Sequence, residues 1–336
     1  MPLDGPAGGE PACALHLVDD ESGTLDERSS VVELVPTAPY RLDLTAWVLR
    51  RRDGNVVDRW EPEGQRYERV VVTDSGPLDV SVVQVGPPEE PVLRARLRGP
   101  GASLLRTRHQ VGTTLARSLG MEADLTGFVE LAGHDPRLGR LVERFRGVRP
   151  PRFHTWTEAL TAAVSCQQLS LAVGITLLNR LAERYGERSL AGHVSFPTAE
   201  ALAAASPDDL RAMGYSHRKA EVITELARQL ADGELDLDPL GSADDHEVLA
   251  ELCRLRGIGR WSAEYVMLRG MGRVHVFPGD DVGAQNKLRH LLGIEGPLDH
   301  ATTRELLEQW HPFAGLIYFH LLLDGLADAG LVTPSG

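Results

Sequence analysis

The chain has 336 residues, of which 42% are hydrophobic, so it can form two or three domains with packed cores. No stretch reaches the ~18 consecutive apolar residues of a membrane span, and the N-terminus lacks the basic start and apolar core of a signal peptide. The three cysteines, Cys13, Cys166 and Cys253, lie too far apart for zinc or iron–sulfur spacings. We therefore expect no structural metal cluster, no membrane partner and a reducing cytoplasm.

The net charge of −13 speaks against nucleic-acid binding, but the charge is unevenly distributed. Residues 1–34 hold eight acidic residues and one arginine in a segment rich in proline and glycine, which predicts an acidic, disordered tail. Residues 137–184 hold eight arginines and three acidic residues, and residues 254–273 hold five arginines and one acidic residue. Charge alone leaves both a mixed surface and a DNA-binding face open.

Residues 36–100 carry β-branched, alternating patterns broken by Gly, Pro and Asp, which predict an antiparallel sheet of at least four strands. The strand segments are "YRLDLTAWVLRR", "RYERVVVTDS", "LDVSVVQVG" and "PVLRARLRG". The following "GASLLRTRHQVGTTLARSLG" predicts a helix against that sheet. Residues 35–130 are thus predicted to form an α+β domain.

From Asp135 onward the pattern is helical, with Ser, Thr or Asp at many predicted starts and Gly at many ends. The fold class predicted for the whole chain is mainly α with an N-terminal α+β domain, and residues 131–330 form the all-helical region.

Within that region, "LRGIGRWSAEYVMLRG" (residues 255–270) places a glycine-rich turn between two helices. Gly257 and Gly259 permit positive φ and close backbone approach, and Ile258 would pack into the helix pair. The free N–H groups of the second helix would then form an anion site. An ordinary tight turn is the alternative, because such turns before helices are common.

This stretch resembles the helix-hairpin-helix motif of the HhH-GPD DNA glycosylase superfamily, with Arg256 in place of the usual proline and Ser262 in place of threonine. The loop "GMGRVHVFPGDDVGAQNKL" then resembles the superfamily's Gly/Pro loop, with Asp281 at the essential aspartate. With "FRGVRPPRF", "SCQQLS" and "WHPF", the chain is most similar to the bacterial 3-methyladenine DNA glycosylase II (AlkA) family over roughly residues 130–325. The resemblance implies two helical subdomains flanking a cleft, with the hairpin at residues 255–260.

The resemblance also implies a function, that of a monofunctional DNA glycosylase in base excision repair. Such an enzyme flips an alkylated purine of the 3-methyladenine or 7-methylguanine type, hydrolyses its N-glycosidic bond and leaves an abasic site. Asp281 is implied as the catalytic carboxylate, which stabilises an oxocarbenium-like sugar or orients water. From the residues alone, Asp280 or Asp281 could equally be a helix N-cap. Trp261 stands where strand-cutting relatives carry a Schiff-base lysine.

The implied base pocket includes Trp261 and Tyr265, which lie on one helix face at positions i and i+4. A buried core stripe is the alternative. Val282 replaces an aromatic residue that the family has after the aspartate, and Leu322 replaces a family tryptophan, so the pocket has fewer aromatic rings. No second titratable group is evidently paired with Asp281, which favours cationic bases that leave easily.

The DNA-binding residues implied by the resemblance include a wedge at Gln168, beside Leu169. The glutamines of "CQQLS" could instead cap a helix or bond within the core. The hairpin contributes Arg256, Gly257, Ile258, Gly259 and Arg260, although exposed arginines could also serve no specific role.

The partner implied by the resemblance is duplex DNA with alkylated bases, bound by a monomer in the cytoplasm at the nucleoid. We expect no metal and no cofactor, apart from an optional monovalent cation at the hairpin. The alternatives are a non-catalytic binder of damaged DNA, or a glycosylase shifted towards hypoxanthine, ethenoadenine or bulky alkyl adducts.

Overall fold

The computed structural model of the protein describes the backbone of residues 15–18 and all of residues 28–335. The described residues form one six-stranded antiparallel sheet in the order β1-β2-β6-β5-β4-β3. The strands are β1 (Leu15–Val18), β2 (Ser29–Leu34), β3 (Arg59–Glu61), β4 (Arg66–Thr73), β5 (Gly76–Val85) and β6 (Val92–Arg98). In β6, Leu93, Ala95 and Leu97 are buried while the intervening arginines are exposed, as the alternating sequence predicts.

The sheet begins earlier than predicted, so the boundary of the acidic tail at residue 35 is wrong. Strands β1 and β2 lie inside residues 1–34, and Val32 and Leu34 are fully buried. The strand was missed because acidic residues surround the short apolar run "SSVVEL". This segment pairs with β6 in a register that includes Val32 opposite Ala95. The rest of the predicted tail, residues 1–14 and 19–27, lies outside the described residues.

The described residues also form fourteen α-helices. They are α1 (Leu42–Arg50), α2 (Leu105–Ser118), α3 (Thr126–Gly133), α4 (Pro136–Arg144), α5 (Trp156–Cys166), α6 (Leu171–Tyr185), α7 (Ala199–Ala203), α8 (Pro207–Ala212), α9 (His217–Ala231), α10 (Asp245–Arg254), α11 (Arg260–Val266), α12 (Val282–Leu292), α13 (His300–Glu308) and α14 (Ala314–Asp328). A 3₁₀ turn spans Asp238–Gly241, and a π-helical turn, Met267–Met271, extends α11. Nine helices are capped by a Ser, Thr or Asp side chain that accepts a backbone N–H three residues on, at Asp135, Thr155, Ser170, Thr198, Ser206, Ser216, Asp244, Asp281 and Asp299.

The segment "YRLDLTAWVLRR" was predicted as a strand, and this prediction is wrong, because it forms helix α1. The helix is buried on both sides. Leu42, Ala46 and Leu49 pack in the core of the sheet, whereas Leu44 and Val48 pack in a helical core. A helix buried on two faces shows a nearly continuous apolar run, which periodicity alone cannot distinguish from a buried strand.

The described residues form three hydrophobic cores. One lies between the sheet, α1 and α2; a second joins residues of α5 to α11; the third joins α1, α3, α4 and α12 to α14. Ala263, Tyr265, Val266 and Met267 belong to the second core and Leu268 to the third, so α11 and its π-helical extension pass from one helical core to the other. No described helix has the length and apolarity needed to cross a bilayer.

A buried ion cluster attaches the sheet to the helices. Arg69 on β4 contacts Asp58 at 2.7 Å and Glu158 of α5 at 2.6 Å, and all three side chains are at most 5% exposed. Nearby, Asn179 of α6 donates to the Gly54 carbonyl at 2.6 Å. These contacts hold the segment after α1 firmly against the helical region.

Candidate active site

The glycine-rich turn between α10 and α11 has the backbone that its residues predict. Gly257 has φ +82°, and a Cβ there would lie 2.5 Å from Cγ2 of Val222 on α9. Ile258 is buried in the second core. Gly259 is extended and exposed at the start of α11, with open space where a Cβ would stand. The turn therefore presents its backbone at the surface while Ile258 anchors it.

The turn between α5 and α6 is attached to this hairpin by Gln167. Its Nε2 donates to the Gly257 carbonyl and to Ser262 Oγ, both at 2.8 Å. Lys219 of α9 donates to the Gln167 carbonyl at 2.7 Å. The next two residues, Gln168 and Leu169, are exposed, and Gln168 has φ +54°. Gln167 is thus a positioning residue that the sequence left undecided between a cap and a core contact.

Asp281 lies at the N-cap of α12. Its Oδ1 accepts the Ala284 N–H at 2.9 Å, and its Oδ2 accepts from the Tyr318 hydroxyl of α14 at 3.1 Å. Burial and the nearby Asp281 charge raise the pKa of the Tyr318 phenol well above its usual value, so the phenol stays protonated and donates. Asp280, its neighbour, is exposed. Asp281 therefore caps α12 through Oδ1 while its Oδ2 is held by Tyr318.

The loop before Asp281 is fixed from both sides at Gly279. Glu264 of α11 accepts the Gly279 N–H at 2.9 Å, and Gln285 of α12 donates to the Gly279 carbonyl at 2.6 Å. The other Glu264 oxygen lies 2.8 Å from His300 Nε2. A Cβ at Gly279 would lie 2.6 Å from the His300 ring. The hairpin helix and the Asp281 loop are therefore coupled through Glu264.

Two adjoining cavities open at Asp281. The inner cavity, about 490 Å³, is lined by Arg51, Cys166, Leu169, Ser170, Leu171, Trp261, Tyr265, Arg269, Asp281, Val282, Gly283, Ala284, Lys287, Tyr318, Leu321 and Leu322. The outer cavity, about 700 Å³, shares Trp261, Asp281 and Val282 and adds Gln168, Gly257, Gly259, Arg260 and Asp280, among others. Trp261 and Tyr265 stack with centroids 5.3 Å apart and planes 20° apart. This stacked pair and the Asp281 carboxylate line one space.

The predicted site residues are distributed unevenly over these cavities. Trp261, Tyr265, Val282 and Leu322 line the inner cavity with Asp281. The predicted DNA-binding residues Gln168, Gly257, Gly259 and Arg260 line the outer cavity. Ile258 is buried in the core, and Arg256 forms an ion pair with Glu221 at 2.8 Å. No group of three or more His, Cys, Asp or Glu side chains is placed to hold a metal among the described residues.

Three residues that the sequence did not single out also line the inner cavity: Tyr318, Arg51 and Arg269. For Tyr318 a signal existed, since it lies one helical turn before Leu322 and so shares its face. Arg51 is 214 residues away from Tyr265, to whose hydroxyl it donates at 2.6 Å, and no local pattern indicates such a contact.

Comparisons with known proteins identify the family of the chain. The family model described as "HhH-GPD superfamily base excision DNA repair protein" matches residues 161–312. A DNA-3-methyladenine glycosylase of Bacillus subtilis (strain 168) is 30% identical over 204 residues, which is 60% of this chain and 67% of that protein. DNA-3-methyladenine glycosylase 2 of Escherichia coli (strain K12) is 33% identical over 187 residues, 55% of this chain and 63% of that protein.

A solved structure extends the likeness to the sheet. The 3-methyladenine DNA-glycosylase from Archaeoglobus fulgidus matches with a TM-score of 0.75 and 26% identity, over 87% of this chain and 97% of that chain. The chain spans about half to two thirds of the length of the first curated relatives that it matches. On these matches, this chain belongs to the HhH-GPD superfamily, in the family of DNA-3-methyladenine glycosylases.

Proposed function

We propose that this protein is a monofunctional DNA glycosylase of base excision repair that hydrolyses the N-glycosidic bond of alkylated purines. The observation that carries the proposal is the cavity in which the Asp281 carboxylate and the stacked Trp261–Tyr265 pair meet. A carboxylate beside an aromatic surface is what base excision requires, because the sugar develops positive charge while the base must be held outside the duplex. The family relatives named above support the same activity.

In this proposal the damaged base flips into the inner cavity and stacks on Trp261. Unstacking costs a few kcal/mol, which contact with an aromatic face offsets. The Asp281 carboxylate then faces the sugar and stabilises its oxocarbenium character or orients the attacking water. Its two hydrogen bonds, from Tyr318 and the Ala284 N–H, fix where the negative charge stands. Preorganised charge of this kind avoids reorganisation during the reaction.

DNA would lie across the boundary between the two helical cores, which we propose as two helical subdomains flanking a cleft. The backbone around Gly257, Ile258 and Gly259 and the Arg260 side chain would contact phosphates, with an optional monovalent cation at the hairpin carbonyls. Gln168 would fill the space left by the flipped base. Arg256 would have to exchange its Glu221 partner for a phosphate. The protein would act as a monomer on the DNA of the nucleoid, without a metal or other cofactor.

The product in this proposal is an abasic site in an intact strand. A strand-cutting relative needs an amine at the position of Trp261 to form a Schiff base with the sugar, and an indole cannot do so. Lys287 also lines the inner cavity, but its ammonium donates to the Leu321 carbonyl at 3.1 Å.

The test is single-turnover excision from duplexes that contain 3-methyladenine, 7-methylguanine or hypoxanthine, with wild type compared with Asp281→Asn. The variant keeps the size of the side chain and removes its charge. We expect base release to fall by about 100-fold or more while DNA affinity is retained. Wild type that binds damaged duplexes tightly and releases none of these bases would replace the proposal with a non-catalytic damage binder.

A further inference from the structure

Arg51 reaches the inner cavity from the sheet-containing part of the molecule. It follows α1 directly and has φ +65°, a backbone conformation in which residues other than glycine are uncommon. Its side chain is only 4% exposed, and its Nη1 donates to the Tyr265 hydroxyl at 2.6 Å. The guanidinium carbon lies 5.3 Å from the centroid of the Phe153 ring. A backbone under strain therefore holds a buried cation at the wall of this cavity.

The Arg51 charge has no carboxylate within ion-pair distance among the described residues. The Nε of Arg51 also has no hydrogen-bond partner among the residues that the structure describes. The equally buried Arg69, by contrast, is neutralised by Asp58 and Glu158. Arg149 is as deeply buried and also lacks a carboxylate, but three carbonyls accept from it, whereas the Tyr265 hydroxyl is the one acceptor of Arg51 among the described residues. Burying a charge with so few acceptors is costly. The free donors of Arg51 point to a ligand in the cavity.

A second guanidinium makes the same wall more positive. Arg269, in the π-helical turn, is 1% exposed, donates to the Val48 carbonyl at 2.8 Å and lies 5.8 Å from the centroid of Tyr265. Lys287 lines the cavity as well, whereas Asp281 is the one carboxylate in its lining. Both guanidiniums and the Lys287 ammonium can only donate hydrogen bonds, so this part of the lining favours a group that presents acceptors.

Purines differ in the hydrogen-bonding group at position 6 that would face the arginine side of the cavity. A guanidinium is a donor only, and its planar fork matches the O6 and N7 acceptors of a 6-oxopurine. A 6-aminopurine presents a donor at the same edge, so one of its N–H groups would face the N–H groups of the arginine. Hypoxanthine offers both acceptors, and 7-methylguanine keeps O6.

We infer that Arg51 is a specificity-determining residue that donates to the 6-keto oxygen of the flipped purine and selects 6-oxopurine lesions over 6-aminopurine lesions. The inference rests on the proposed glycosylase function and names its preferred substrate class.

The experiment compares wild type, Arg51→Met and Arg51→Lys in single-turnover release. Methylated duplex DNA supplies 7-methylguanine and 3-methyladenine together, and a synthetic duplex supplies hypoxanthine. Each rate is expressed relative to 3-methyladenine, and variants are compared by that ratio, so the intrinsic lability of each lesion cancels. A hydrogen bond that involves a charged group is worth about 1.5–3 kcal/mol, so Arg51→Met should lower both ratios by about 10- to 150-fold. Arg51→Lys, which keeps the charge without the fork, should fall between wild type and Arg51→Met.

The matched control is Arg149→Met. Arg149 is 2% exposed and donates to the carbonyls of Thr37, Pro39 and Ala123, but it does not line the inner cavity. Its loss should lower stability and leave the lesion ratios unchanged. An Arg51→Met variant that slows all three lesions equally would overturn the inference and leave Arg51 with a structural role.

If the proposed glycosylase function is wrong, wild type will release no base from any of the three lesions. Arg51 is then tested by binding: the affinity of each variant for a hypoxanthine duplex is compared with its affinity for an undamaged duplex. If wild type prefers the hypoxanthine duplex and Arg51→Met does not, the selection of a 6-oxopurine by Arg51 is supported. If wild type binds the hypoxanthine and undamaged duplexes with equal affinity, the inference is overturned.

Discussion

Tyr318 shows how much of the site depends on a single hydroxyl. It donates to Asp281 Oδ2 at 3.1 Å, and its ring packs edge-on against Phe277 with centroids 5.5 Å apart. Packing against Phe277 thus orients the Tyr318 ring, and the Tyr318 hydroxyl in turn orients the Asp281 carboxylate. Because burial and the Asp281 charge raise the Tyr318 pKa well above its usual value, the phenol is a protonated donor at neutral pH.

Tyr318→Phe should slow base release by about 10-fold or more, because a hydrogen bond to a charged group is worth about 1.5–3 kcal/mol. DNA affinity should stay the same, since the ring and its packing are kept. Single-turnover rates and equilibrium binding measure the two effects. Tyr185→Phe, at the end of α6 and outside both cavity linings, is the control. Equal rates for Tyr318→Phe and wild type would show that the hydroxyl does not position Asp281.

At the level of elements, the turn between α10 and α11 contains two glycines, Gly257 and Gly259, with different structural roles. Gly257 needs its positive φ and lies against Val222, whereas Gly259 is extended, with open space where a methyl group would stand. The first glycine is required by the fold of the turn. The second leaves room for a ligand to approach the start of α11.

Gly257→Ala should therefore lower the free energy of unfolding by about 1–3 kcal/mol for the backbone conformation, with the Val222 clash added. Gly259→Ala should change stability by less than about 0.5 kcal/mol and weaken DNA binding, because the methyl group stands where a phosphate would approach. Urea unfolding and equilibrium binding separate the two. Similar stability losses in both variants would contradict this division of roles.

For the whole molecule, neutral histidines are built into the packing. His320 lies in the third core region between Phe128 and Phe145, at centroid distances of 5.2 and 6.5 Å. Burial lowers the pKa of His320 from 6.5 to about 4. Burial and the neighbouring arginines also lower the pKa of His154, between the sheet and the helices, well below its usual value.

Stability should consequently fall with acidification. Above pH 6.5 His320 is neutral in the folded and in the unfolded chain. Below pH 6.5 the unfolded chain binds a proton at His320, whereas the folded chain binds it only near pH 4. The loss across that window is roughly 3 kcal/mol for His320, and His154 acts in the same direction. Urea unfolding at pH 7 and pH 5 should show about 2 kcal/mol of this loss, and His320→Asn should reduce the difference. An unchanged difference in that variant would assign the acid sensitivity to other groups.

The sequence predicted the parts of this protein that neighbouring residues encode. Gly257, Ile258 and Gly259 specify the hairpin, Ser, Thr and Asp caps mark helix starts, and the alternation of β6 marks a half-buried strand. The family resemblance added Asp281, Trp261 and Tyr265, whose roles remain predictions. The α1 segment was misassigned because its helix is buried on two faces, and β2 was missed because acidic neighbours surround it.

Only the tertiary structure decided which distant side chains complete the site. Tyr318 meets Asp281 across 37 residues, and Arg51 meets Tyr265 across 214. Such contacts depend on how the sheet, α1 and α14 pack around α11, and packing is a property of the whole core rather than of any local pattern. The sequence by itself thus determined the hairpin and the family, whereas the charge and hydrogen-bonding character of the inner cavity emerged only when elements remote in the chain were brought together.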